Sequence, residues 1–332
     1  MSAMRNLITD VPGLKVGHAE DGRLGSGATA VIFDEPAVAS IDLRGGGPGT
    51  RETALLDPAQ TVQGIDAIAL AGGSAFGLDA ASGLQAWLRE QGRGFAVRSA
   101  KVPIVPAAIL FDLLSGGDKN WGRFPPYREL GYAAAATAGA DFALGSVGAG
   151  TGATTVNCKG GIGSASAQSP DGFIVGALAA VNAAGSVIVG RGPWFWAAPF
   201  EVGSEFGGRG LPDDFPPQAL DPVTKGSARE STTLVVVATD AVLTKAQAKR
   251  LAVMAQSGLS RAIYPVHSPL DGDVMFAAST GRRPLNDATL GLTHLGTLAA
   301  NVVARAVARG VFAATALPLA EALPSWRDRF GR

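Results

Sequence analysis

Cysteine is almost absent from the 332 residues. Cys158 stands alone, so no disulfide can close within the chain and no zinc site can be built on thiolates. Histidine is nearly as scarce, and His18, His267 and His294 lie far apart without the spacing of metal ligands, so no metal site is expected. Net charge is missing as well. Lys+Arg and Asp+Glu balance at 28 each, which leaves no overall field to attract nucleic acid or an anionic membrane, and a small or neutral substrate fits better. The opening "MSAMRNLITDVPGLKVGH" has neither the charged start nor the apolar stretch of a secretory signal, and it reads as mature sequence in a reducing cytoplasm. A run of near-membrane length, "FIVGALAAVNAAGSVIVG" at 173–190, is broken by Asn182, Ser186 and glycines. It reads as strand, turn, strand rather than as a spanning helix.

Three familiar motifs are also missing. "GAGTGA" at 148–153 matches the dinucleotide fingerprint in letters, but no helix pattern follows it. There is no phosphate loop ending in GK[ST], so no cofactor is expected; a Ser-His-Asp triad could assemble from scattered residues, but no G-x-S-x-G elbow supports one. Cys158 beside Lys159 reads as a buried, inert thiol rather than an activated one.

What the chain has in excess is glycine. Its 45 glycines cluster as "RGGGPGT", "LAGGSAFG", "VGAGTGATT" and "CKGGIGSAS", the composition of a site walled by backbone. With 47% hydrophobic and 17% charged residues, a large core is assured. "GIDAIALA" at 64–71 reads as a strand running through Gly72 and Gly73 into a helix with Ser74 as N-cap and Gly92 as stop; that turn is a possible source of backbone donors for a site. Thr244 and Gln247 form a capping box for a second helix. A third helix, at about 286–310, is apolar nearly all round and so belongs between layers or subunits. Residues 191–230 hold six prolines and no sustained period, a segment of functional or mobile character that divides the chain into a large and a small part sharing one core. Trp121, Trp194 and Trp196 suit a cleft, a subunit contact or the core equally well.

That patternless segment ends in "STTLVVVATD", where Leu234 to Val237 form an uncharged β-branched run typical of a strand buried on both faces. Two threonines at a strand mouth are ordinary β-propensity. They also meet the needs of a nucleophile freed by chain cleavage, since an N-terminal Thr carries its own amine as base, with pKa near ~7.7 to 8.0. "DGD" at 271–273 is, on its residues, a hairpin turn, and Asn182 a turn asparagine.

"ITDVPGLKVGH", "RGGGPGTRETALLDP", "LAGGSAFGLDAASGL", "DKNWGRFPPYRELG", "KGGIGSASA", "STTLVVVATDAVLTKAQAKRLAVMAQSGLSRAI" and "PVHSPLDGDVMFAAST" together resemble the self-processing aminopeptidase family, over nearly the whole chain and in the same order. Its members include the L-aminopeptidase/D-Ala-esterase/amidase, β-peptidyl aminopeptidases and nylon-oligomer hydrolases. The resemblance implies a single α+β domain over 1–332, an αββα four-layer sandwich like that of N-terminal-nucleophile hydrolases. It implies self-cleavage between Ser231 and Thr232 into a 1–231 large chain and a 232–332 small chain that stay together, commonly in a homo-oligomer such as a tetramer of cut pairs. Thr232 matches the nucleophile, with Ser231 as a competitor, and Asn182 matches the oxyanion donor. Lys159 and the acidic pair Asp271 and Asp273 match the nylon-oligomer branch; other relatives use a serine and a glutamate in place of the pair. Before cleavage the Thr232 nitrogen is an amide and cannot act as base, so Lys159, Asp271 and Asp273 are the groups available to help the first reaction. Two positions depart from the family. Ser231 stands where Asn or Gly often precedes the nucleophile, and Phe111 stands where relatives carry a tyrosine near the site. The implied activity is aminopeptidase action on small peptides or amides. Endo-hydrolysis of aminohexanoate oligomers and acyl transfer of the ornithine/glutamate type are the alternatives.

Overall fold

The computed structural model describes residues 4–225, 231–320 and 322–331. The strands are β1 (Leu14–Asp21), β2 (Ser26–Leu43), β3 (Gly49–Arg51), β4 (Gly64–Ala71), β5 (Phe95–Val97), β6 (Ala100–Val102), β7 (Ala107–Ile109), β8 (Gly161–Gln168), β9 (Ile174–Asn182), β10 (Thr232–Ala241) and β11 (Val274–Arg283). The helices are α1 (Ala80–Glu90), α2 (Tyr127–Ala136), α3 (Lys245–Ala255), α4 (Ser257–Ser260), α5 (Ala288–Ala313) and α6 (Trp326–Phe330).

β2 organises the molecule. Its register on β4 shifts between Ile32 and Ala37; the first half pairs with β1 and β4 and the second half with β11. One strand thus serves two layers, β1, β4, β7 and β3 on one side and β11, β10, β9 and β8 on the other. Strand alternation then sorts side chains into three large cores, beside a smaller cluster of Leu24, Ala28, Ala71, Ala80, Ile109 and Tyr127. Leu234, Val236 and Ala238 of β10 meet Val31, Phe33, Ile68 and Leu70 between the sheets. Val235 and Val237 face the opposite way, toward Leu251, Ala255, Val303 and Val307 of α3 and α5. Ala30, Ile32, Ala67 and Ala69 pack under Leu84 and Leu88 of α1 and Ala134 of α2. Three cores between four layers make the αββα sandwich, and strands from both sides of Ser231 lie in the same sheet. α5 lies so close to β8 that a Cβ at Gly163 would sit 1.8 Å from the Ala306 carbonyl oxygen.

β4 and β10 form as the sequence predicts, and the Thr244 hydroxyl accepts from the Gln247 N–H in the predicted capping box. α5 begins at Ala288, where Asp287 caps two amides. It is long and apolar enough to cross a membrane, but most of its apolar stretch is buried in this fold. Two expectations need correction. Ser74 is not a helix cap: Gly73, at φ +81°, precedes a 3-10 stretch Ser74–Asp79, and α1 starts only at Ala80. The 173–190 run is a strand only as far as Asn182. Beyond it Gly185 presses on Tyr264 and Pro265, a Cβ there would meet the Pro265 carbonyl oxygen at 2.1 Å, and isolated bridges replace a ladder.

Candidate active site

β10 runs between β9, antiparallel, and β11, parallel, and its first residue is Thr232. Thr232 is paired directly with Asn182, the last residue of β9, so both side chains lie on one face of the sheet. One residue earlier, Ser231 bridges to Asp271 in the loop that leads into β11. Sheet register alone therefore gathers Ser231, Thr232, Asn182 and Asp271.

The carbonyl of Ser231 is the centre of the arrangement. The Thr232 hydroxyl donates to it at 2.6 Å, and the backbone N–H of Gly272 donates to it at 2.9 Å. A side chain at 272 is excluded, because a Cβ would lie 2.5 Å from Thr232 Oγ1 and 2.9 Å from the Gly47 oxygen. The "RGGGPG" segment backs this turn, with Gly47 N–H donating to Asp271 O and Arg44 N–H to Asp273 O.

The two aspartates flanking Gly272 are buried and hydrogen-bonded. Asp271 accepts from the Ala184 N–H at 3.1 Å and from the Ser268 hydroxyl at 3.0 Å. Burial, and next the charge of Asp273, push its carboxyl up to about 6. Asp273 accepts from the Thr233 N–H at 2.9 Å on one oxygen, and from the backbone N–H and Nδ1 of His267 on the other, at 3.2 and 2.9 Å. His267 takes this position at φ +58°, a left-handed conformation uncommon outside glycine.

Asn182 is held from both ends of its amide. Its Oδ1 accepts from the Thr154 N–H at 2.9 Å and the Lys225 ammonium at 3.0 Å, and its Nδ2 donates to the Phe111 carbonyl at 3.0 Å. Two donors on Oδ1 fix which end of the amide is which. Phe111, where a tyrosine was expected from the family, thus contributes its backbone.

Lys159 is placed differently. Its ammonium donates to the carbonyls of Gly150, Ala153 and Gly160 at 2.8 to 2.9 Å, a complete set for three protons. Among the described contacts none joins it to Thr232. Burial brings its pKa down to about 7, with the Asp112 carboxylate opposing that shift and the Lys225 charge adding to it. Asp112, fully buried, accepts from Ser26 Oγ at 2.6 Å and Gly73 N at 2.7 Å, and Tyr127 donates to the same Ser26 hydroxyl. Burial raises the Asp112 carboxyl, while Ser26, Gly73, Lys119 and Lys159 work against that. The Gly72 to Ser74 turn offers the site no donor: its three amides go to Gly27 O, Asp112 Oδ1 and Leu110 O.

Sequence reasoning thus missed Gly272, His267, Ser268, Thr154, Lys225 and Asp112. The S-x-x-D spacing of Ser268 and Asp271 carried a signal, as local Ser to Asp bonding is common in turns. His267 carries no spacing signal of its own, and it enters the site through its bond to Asp273.

Residues 6–322 match peptidase family S58. The chain belongs to that family. A Mycobacterium tuberculosis protein named as an uncharacterized aminopeptidase is 43% identical over 98% of both chains. The 6-aminohexanoate-oligomer endohydrolase of Kocuria sp. is 28% identical over 82% of this chain and 74% of its own length. Among solved structures, a Burkholderia sp. beta-aminopeptidase superposes with TM-score 0.71 at 23% identity, covering 99% of this chain and 92% of its own. The L-aminopeptidase D-Ala-esterase/amidase of Ochrobactrum anthropi, described as a variant of the Ntn hydrolase fold, gives 0.70 at 22%, covering 98% and 91%. This S58 chain therefore shares their fold, and family membership makes it a peptidase-type hydrolase.

Proposed function

We propose that this S58 chain is an amide hydrolase of aminopeptidase type that first cuts itself between Ser231 and Thr232. One observation carries the reading: the Thr232 hydroxyl lies on the carbonyl it would attack, and Gly272 already donates to that oxygen.

In the self-directed step, Thr232 Oγ bonds to the Ser231 carbonyl carbon and the charge developing on the oxygen is met by the Gly272 N–H. Asp271 and Asp273, on either side of Gly272, are the bases for the hydroxyl proton, which passes on to the Thr232 nitrogen as the C–N bond breaks. The product is an ester of the large chain on Thr232 Oγ. Water then hydrolyses it, leaving a Ser231 carboxylate and a free Thr232 amine. That amine serves as base in later turnovers, when the same hydroxyl attacks substrate amides, and Asn182 stands opposite as the oxyanion donor. Lys159 acts by holding the 150–160 backbone, which carries the Thr154 N–H, against Asn182.

The mycobacterial relatives favour aminopeptidase action, while the Kocuria enzyme supports a second reading, endo-hydrolysis of amide oligomers. Family membership favours hydrolysis over acyl transfer. Assembly into a homo-oligomer fits the apolar side chains of Phe95, Val97 and Val102 exposed on the β5–β6 hairpin, and the lone buried cysteine fits a cytoplasmic setting. Intact-mass measurement tests the first step: the 33.6 kDa chain should resolve into pieces of about 23 and about 10 kDa, and Thr232→Ala should stay whole. Turnover of L-, D- and β-aminoacyl and aminohexanoyl anilides by the cut protein tests the second. A cut protein inactive on the whole panel would contradict it.

A further inference from the structure

The ladder between β10 and β11 opens at Leu234, paired with Val274. The Thr233 N–H lies just outside it, and the side chain of Asp273 takes that donor at 2.9 Å in place of a strand partner. Asp273 therefore fixes the plane of the 232–233 peptide at the mouth of β10. Among the described contacts its other oxygen is held by one residue, His267, which donates to it from the backbone N–H at 3.2 Å and from ring Nδ1 at 2.9 Å. Ser268 treats Asp271 in the same way, giving its N–H and its hydroxyl to a single oxygen while the Ala184 N–H donates to the other. Adjacent residues thus clasp the two carboxylates separately, Asp271 toward the end of β9 and Asp273 toward the start of β10.

The clasp on Asp273 is built under strain. His267 stands at φ +58°, and a bulky residue keeps that conformation only where its surroundings over-determine it. Its side chain is 21% exposed and that of Asp273 1%, so the ring sits at the edge of the core, where its removal leaves no sealed cavity. Glycine would take this backbone freely and keep the N–H while losing the ring. Asparagine also tolerates it, and would place an amide N–H where Nδ1 now stands.

Cutting changes what holds Thr232. In the whole chain the peptide before it is held by the Gly272 N–H on the Ser231 carbonyl and by the bridge from Ser231 to Asp271. Once that peptide is broken, the amine and the side chain of Thr232 swing together about one bond, Cα–C, on the 232–233 peptide. Whatever fixes that peptide then aims the base and the nucleophile at once.

Resting on the self-cleavage reading, we infer that His267 is a positioning residue of the cut enzyme: its ring N–H locks Asp273 onto the Thr233 amide, and through that amide aims the new N-terminus at the substrate carbonyl. A reacting group out of place slows the chemical step without weakening substrate binding. Self-cleavage leans on the ring less, because Gly272 and the Ser231 bridge hold the scissile peptide through other bonds.

The test compares the parent with His267→Gly and His267→Asn, following self-cleavage on gels and then turnover of the anilide that the cut parent uses fastest. In His267→Gly, kcat should fall about tenfold further than the self-cleavage rate does, with KM within about threefold of the parent, and His267→Asn should bring kcat back to within about threefold. A kcat that falls no further than the cutting rate, a loss carried by KM, or a loss that His267→Asn leaves unrepaired overturns the positioning role. So does a His267→Gly protein that circular dichroism shows to be unfolded, since the ring would then be structural. A folded His267→Gly chain that stays whole puts the ring in the first reaction and overturns its assignment to the second. A parent chain that never cuts itself overturns instead the reading beneath.

Discussion

The backbone of Gly272 and the hydroxyl of Thr232 converge on one oxygen, with no room between them for a methyl group: a Cβ at 272 would stand 2.5 Å from Thr232 Oγ1. The attacking group and the donor that would stabilise the resulting charge are thus set before any bond is broken. Nothing larger than hydrogen can occupy the α-position of 272 without moving one of them.

Gly272→Ala should therefore slow self-cleavage by at least about 100-fold, the scale expected when an oxyanion donor is displaced. A gel time course measures it, with circular dichroism showing that the fold is kept.

Self-cleavage should speed up as pH rises through about 6, where Asp271 ionises, and then level off. Asp271→Asn should lose that inflection. The same group bears on stability. Its folded pKa, raised from 3.8, means that the neutral form is favoured on folding, so its contribution is full below about 3.8 and is lost as pH climbs through about 6. Measured in the uncut Thr232→Ala background, the Tm of the Asp271 protein relative to that of Asp271→Asn should fall from pH 4 to pH 7.

Lys159→Met should act first on stability. It strips three buried carbonyls of their donor and removes one of the two lysine charges that act on Asp112, with a cost on the order of 1 to 3 kcal/mol for each carbonyl left without a partner. Urea unfolding of the Thr232→Ala background with and without the change would show a lower midpoint.

The parts legible in the sequence were those set by local pattern. β10 announced itself through an unbroken β-branched run, β4 through its apolar stretch between glycines, and α3 through Thr244 and Gln247. What stayed hidden depends on distant partners. Ser74 looked like a cap, but Asp112, Leu110 and Gly27 claim the amides of its turn from other parts of the chain. A backbone N–H such as that of Gly272 has no letter of its own; only the register that bridges Ser231 to Asp271 aims it. His267 gains meaning because its own left-handed backbone turns it onto Asp273. Lys159 was legible as a residue but not in its posture, since its three acceptors come from a loop whose path no periodicity reports.

N-terminal sequencing of the small fragment from freshly purified protein tests the central claim most directly. A start of Thr-Thr-Leu-Val puts the cut at the carbonyl that Thr232 and Gly272 share. A start of Ser-Thr-Thr would transfer the role to Ser231, and a chain that still begins only at its original N-terminus after incubation would contradict the account outright.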